Sequence, residues 1–173
     1  MPITYQKPQQ SSSRSSAGYL DVLWVASEKK FFGALLVIDA KGNPLEFVHN
    51  TLVAPAGFLW PHERVQSESV AVLVHSLFDT VQREPHVLLC RDTLGSPDYC
   101  QSELAPLIPF GIVSQRDSQL AELAWANNAP TQDMPAFALT AELGRRGLLT
   151  EPFTRLLSGL REVYPGVSWP KEP

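Results

Sequence analysis

The stretch FFGALLVI, residues 31–38, decides the fold, because a nearly continuous apolar run is typical of a strand that is covered on both faces. Strand-like runs lie on either side of it, at residues 19–26 and Pro44–Val53, and the first is rich in β-branched and aromatic residues. The connections are short: a polar turn at residues 27–30 and a glycine-asparagine turn at residues 39–43. Such short connections predict an antiparallel meander of three strands.

A long helical pattern follows the meander. Pro61 fits the first turn of a helix, and Glu63 suits the positive end of the helix dipole. Apolar residues at helical spacing continue to Arg83, and Pro85 then ends the pattern. The next apolar run, residues 86–90, predicts a buried strand parallel to the first, because a helix is the usual crossover between parallel strands.

The second half of the chain predicts one more strand and several helices. The predicted strand covers residues 107–113, and an amphipathic helix at 117–127 is predicted from Leu120, Leu123 and Ala124. Three further helices are predicted at residues 96–105, 135–146 and 151–164. We therefore predict an α/β fold in which helices flank a five-stranded mixed sheet. The predicted segments are a disordered serine-rich arm (1–17), an α/β core (18–113), a helical extension packed on the core (114–164) and a tail (165–173).

Composition bounds the class of protein. The 173 residues suit one domain, and the net charge of −4 gives no global basic field for nucleic acid or a membrane surface. The apolar stretches are too short to span a bilayer. Residues 1–18 lack the apolar region of a signal peptide, so we expect a cytoplasmic protein with reduced Cys90 and Cys100.

Several common catalytic motifs are missing from the sequence. The four histidines, His49, His62, His75 and His86, show no metal-ligand spacing. Neither a glycine-rich phosphate loop nor the serine-hydrolase pattern G-x-S-x-G occurs.

The order of elements and three short pieces of sequence resemble a known layout. The pieces are LDV at residues 20–22, GALLVID at 33–39 and VLLCRD at 87–92. Together they resemble the ribonuclease H-like fold, and endonuclease V in particular, over roughly residues 19–113. The resemblance implies a nucleic-acid-processing protein in which carboxylates hold Mg²⁺ or Mn²⁺ for phosphodiester cleavage. Nucleic acid is then the expected partner.

The resemblance also implies a set of site residues. Asp21 matches the first-strand acid, Asp92 the fourth-strand acid and Glu68 the helix acid, with Glu63 as second choice. All three would bind the metal and position the attacking water. Asp21 lies near the start of its predicted strand, whereas the family places its acid mid-strand, and residues 90–92 lack the Asp-Gly of endonuclease V. The alternative is that these acids only cap a loop or lie exposed to solvent at the start of a strand or on a helix face.

Two further groups are candidates for partner binding. Phe58 and Trp60, in the loop 54–60, suit an anchor for a protein partner or a staple at the start of the helix. Arg145 and Arg146 belong to the densest basic region, which suits phosphate, an acidic partner or a solvated helix face. Three functions therefore stay open. They are a metal-dependent nuclease or its degenerate accessory subunit, a non-catalytic subunit that docks a protein partner through the loop 54–60 and the C-terminal helices, and a ligand-sensing α/β domain.

Overall fold

A computed structural model of the protein describes residues 5–6, 15–55, 61–91, 108–114, 121–126 and 129–169. The strands in these ranges are β1 (Tyr5–Gln6), β2 (Ser16–Val25), β3 (Lys30–Asp39), β4 (Pro44–Val53), β5 (Val87–Arg91), β6 (Phe110–Ser114) and β7 (Glu122–Trp125). The helices are α1 (His62–Thr80), α2 (Pro135–Arg145) and α3 (Glu151–Val163). The strands form one sheet in the order β1-β4-β3-β2-β5-β6-β7.

The predicted α/β architecture with a mixed sheet is confirmed. β2, β3 and β4 form the antiparallel meander, and β2 pairs with β3 along its whole length. β5 runs parallel to β2, with Leu20 opposite Cys90, so α1 is the crossover between them. The predicted count of five strands is wrong, because β7 extends one end of the sheet and the two-residue β1 pairs with β4 at the other.

The segment 117–127 does not form the predicted helix within the described residues. Its residues Glu122–Trp125 form β7, which pairs antiparallel with β6. Leu123 and Trp125 are half-buried and alternate with exposed Glu122 and Ala124, which is the period of two that a strand requires. The apolar residues of this segment fit both a helical and a strand period, and the backbone hydrogen bonds to β6 make it a strand. The predicted helix at 96–105 lies outside the described residues.

Helices cover both faces of the sheet. On one side, which we call the α1 face, Leu20, Val22, Leu35 and Leu88 pack with the buried side of α1. On the other side, the α2/α3 face, the sheet packs with the buried sides of α2 and α3. The two sides of β3 are therefore both buried, which explains its continuous apolar sequence.

The end of α1 is attached to the sheet by a buried carboxylate. Glu46 of β4 accepts hydrogen bonds from the backbone N–H groups of Gln82 and Arg83, at 2.9 to 3.2 Å. These residues follow the last turn of α1, so the glutamate fixes where the chain turns towards β5.

The segment boundaries differ in detail from the predicted ones. β2 begins at Ser16, and Tyr5 pairs with Phe47 of β4, so parts of the predicted arm 1–17 belong to the sheet. β7 lies within the predicted extension 114–164. The division into arm, core, extension and tail stays a prediction. Among the described helices, none combines the length and apolar character that crossing a bilayer demands.

Candidate functional site

Asp21 lies in the interior of the protein, at the sixth of the ten residues of β2. The expectation that it stands near the start of its strand is corrected, because β2 begins earlier than the sequence predicts. Its neighbours Leu20 and Val22 point to the α1 face, so the pleat turns Asp21 to the α2/α3 face. Its side chain is only 2% exposed.

Arg91 neutralises this buried carboxylate. The guanidinium Nε lies 3.3 Å from Oδ2 of Asp21, within range of an ion pair but without the alignment of a hydrogen bond, and the arginine side chain is 26% exposed. The arginine carbon Cζ also stands 5.1 Å from the centre of the Phe153 ring of α3, within range of a cation–π interaction. Phe153 in turn contacts Tyr19 edge to face, with ring centres 5.2 Å apart. The group therefore links β2, β5 and α3.

The described residues do not bring the expected metal ligands together. Glu68 is exposed on α1, and α1 packs on the face opposite Asp21. Glu63, the second choice, is also exposed in the first turn of α1. Asp92 follows the last residue of β5 and lies outside the described residues. The expected triad is Asp21, Glu68 and Asp92. Its two described members, Asp21 and Glu68, lie on opposite faces of the sheet and do not come together.

A divalent cation does not fit the described part of the expected site. A carboxylate that is paired with a guanidinium and almost fully buried is a poor ligand for Mg²⁺ or Mn²⁺, which also need several water or carboxylate oxygens. Across the described ranges, no group of three or more His, Cys, Asp or Glu residues could hold a metal ion. The chemistry supported by Asp21 and Arg91 is a neutral, structural ion pair.

The predicted partner-binding arginines lie at the end of α2. Arg145 and Arg146 both bind Glu142, at 2.7 and 2.5 Å, and the bonds to the arginines hold the pKa of Glu142 below its usual range. The three side chains carry a net charge of +1 and stay on the surface. Phe58 and Trp60 lie outside the described residues, so their role as an anchor stays a prediction.

A second polar group on the α2/α3 face was not predicted. His49 of β4 is buried, and its Nδ1 lies 2.9 Å from the hydroxyl of Tyr164, while its Nε2 has no hydrogen-bond partner. Burial lowers the pKa of His49. The indole N–H of Trp169 is also buried without a partner, and Phe32 contacts both Tyr164 and Trp169. The alternation of apolar Val48 with polar His49 in β4 predicts an outward-facing histidine, so the sequence gives no signal that His49 is buried.

Comparison with known proteins supports the fold. Endonuclease V from Streptomyces avermitilis superposes with a TM-score of 0.57 at 10% identity, covering 91% of this chain and 86% of that one. Endonuclease V from Bacillus subtilis matches with a TM-score of 0.43 at 16% identity, over 62% of this chain and 47% of that one.

Sequence comparisons assign no family. No family model matches the chain. A stretch of 90 residues is 31% identical to serotransferrin from Oryzias latipes, which is 51% of this chain. The stretch spans only 13% of that protein, so it shows neither its family nor its activity. The chain has an endonuclease V-like layout, and at 10% identity that likeness shows the fold alone.

Proposed function

We propose that the protein takes part in nucleic-acid processing as an accessory component that binds nucleic acid and does not hydrolyse it through a metal centre at Asp21. The endonuclease V-like fold supports the nucleic-acid part of this proposal. One observation carries the accessory part: Asp21 is buried against Arg91 on the face of the sheet opposite Glu68.

The accessory role follows from what hydrolysis would need. Metal-assisted phosphodiester cleavage requires carboxylate oxygens around a cation that stays open to water and substrate. The Asp21 carboxylate is instead closed off by Arg91, with α3 packed beyond the arginine. On the other face, the paired side chains of β2 and β5 that point towards α1 are Leu20 and Cys90, and neither supplies an oxygen ligand.

Nucleic-acid contact would be local. The net charge of −4 does not favour a broad phosphate-binding surface, so binding should be weak, and with few phosphate contacts its dependence on salt should be shallow. Arg145 and Arg146 supply a net charge of +1 at the end of α2, which suits one or two phosphate contacts.

Cleavage and binding measured on the same samples test the proposal. Labelled single- and double-stranded DNA and RNA are incubated with the protein and Mg²⁺ or Mn²⁺, and fluorescence anisotropy records binding. We expect binding without cleavage, and unchanged binding for Asp92→Ala and Glu68→Gln.

Two results would contradict this proposal in different ways. Cleavage that is lost in Asp92→Ala would identify an active nuclease and remove the accessory role. Failure to bind any of the four substrates at low salt would remove the nucleic-acid role. It would then favour the protein-interaction alternative, which Trp60→Ala tests through loss of partner capture.

A further inference from the structure

The outer side of α2 is unusual for a solvent-exposed helix surface. Ala136, Leu139 and Leu143 point to the core. On the opposite side, Phe137 is 43% exposed and Met134, immediately before the helix, is 44% exposed. An exposed helix face ordinarily carries charged or polar side chains.

We call this surface the α2 patch, and we define it as Met134, Phe137, Ala138 and Ala141. All four residues are exposed and apolar. Large exposed apolar groups that lie side by side are a mark of interaction surfaces, whereas single ones are ordinary. The patch is therefore a candidate contact surface.

Charges at the two ends of the patch indicate what covers it. Asp133 is exposed just before α2, and its hydrogen bond from Thr131 lowers its pKa, so it is negative at neutral pH. The opposite end carries the net positive group of Arg145, Arg146 and Glu142. A second α2 in antiparallel orientation brings each acidic end to the basic end of the other copy. Parallel helices would bring like charges together.

We propose that the protein forms a twofold-symmetric dimer in which the α2 patches of two copies pack antiparallel. Such a contact is self-complementary, as closed dimers require, because the same residues serve both copies. The helix has 11 residues and is about 16 Å long, so the contact is small and the dimer depends on concentration. The dimer needs no nucleic acid, so its failure would leave the proposed function standing, although Arg145 and Arg146 take part in both proposals.

Sedimentation equilibrium over a range of protein concentrations tests the dimer. The monomer has a mass of 19.1 kDa, and the wild-type protein should approach twice that mass as concentration rises. Phe137→Glu should raise the dimer dissociation constant at least about tenfold, because it puts a charge at the centre of the contact. Val72→Glu is the matched control, since Val72 is a 52% exposed valine on α1, and it should behave as wild type.

Several outcomes would overturn the dimer. The proposal is wrong if the wild-type protein stays monomeric up to about 1 mM, because association weaker than that is not specific. An unchanged dissociation constant in Phe137→Glu would do so as well, provided that its circular dichroism matches wild type. Equal weakening by Val72→Glu would place the contact elsewhere.

Charge reversal tests the antiparallel orientation separately. Asp133→Arg should weaken the dimer, because it places two basic groups together at each end. Adding Arg145→Asp and Arg146→Asp to that variant should restore association towards wild type. If Asp133→Arg leaves association unchanged while Phe137→Glu weakens it, the antiparallel arrangement is wrong.

Discussion

The two faces of the sheet differ most where β2 and β5 run side by side. Towards α1, these strands present Leu20, Val22, Leu88 and Cys90, and the contact is apolar. Towards α2 and α3, the same strands present the ion pair of Asp21 and Arg91. Adjacent residues of one strand thus meet opposite environments. A buried carboxylate on β2 is therefore stable only on the face where Arg91 neutralises its charge.

The largest expected effect comes from adding a carboxylate one residue before Asp21, on the opposite face of β2. Leu20→Asp buries an unpaired charge against the apolar side of α1, and we expect it to destabilise the protein by about 4 kcal/mol or more. Urea unfolding measures the loss, with Val53→Asp as the control because Val53 is exposed. Equal stability of the two variants would mean that the α1 face is open to water.

Removal of one partner of the ion pair should have the next largest effect. Asp21→Ala leaves Arg91 without its buried counter-charge, and we expect a loss of about 2 kcal/mol, discounted because the arginine is 26% exposed. Arg91→Ala and the double variant complete a thermodynamic cycle. The double variant should lose about 1 kcal/mol less than the sum of the singles. Strict additivity would show that the pair does not couple β2 to β5.

The histidine on the α2/α3 face should make stability depend on pH. Burial lowers the pKa of His49 in the folded state, so the unfolded chain binds the proton more readily. The contribution of His49 is fully present above its ordinary pKa of 6.5 and is lost as the pH falls below that value. Unfolding free energies between pH 5 and 8 should therefore decline less steeply towards acid in His49→Gln.

His62→Gln is the matched control for this pH dependence, because His62 is exposed at the start of α1. If the slope for His49→Gln equals the wild-type slope, the buried histidine is not the group that titrates.

Trp169→Phe should have the smallest effect. The indole N–H is buried without a hydrogen-bond partner, so its removal relieves a desolvation cost, while phenylalanine keeps most of the contact with Phe32. We expect a change in stability within about 1 kcal/mol. Thermal unfolding with Tyr164→Phe alongside gives the comparison, since Tyr164 does have a partner in His49. A greater loss in Trp169→Phe would reveal a hydrogen bond at the indole.

The sequence predicted the architecture better than the site. Strong local patterns in FFGALLVI and in residues 61–83 were enough for the meander, the crossover helix and the parallel β5. β7 was missed because Leu123 and Ala124 fit both a helix and a strand, and only pairing with β6 decides between them. The ends of the sheet depend on such long-range pairing.

The orientation of Asp21 could not be predicted for a related reason. In a strand with one wet face, polar and apolar residues alternate and reveal which side is buried. β2 is covered on both faces, so Leu20 and Val22 on one side and Tyr19 on the other are equally apolar. The sequence identified Asp21 as unusual, but the pleat that separates it from α1 is visible only in three dimensions.

Because helices cover both sides of the sheet, the faces of β2 and β5 are not accessible as a binding surface for nucleic acid. Within the described residues, the surfaces left for a nucleic-acid strand are the rim where the strands end and the outer surfaces of the helices. If the protein binds nucleic acid as proposed, footprinting should map contacts to Arg145 and Arg146 at the end of α2, leaving the middle of every central strand untouched.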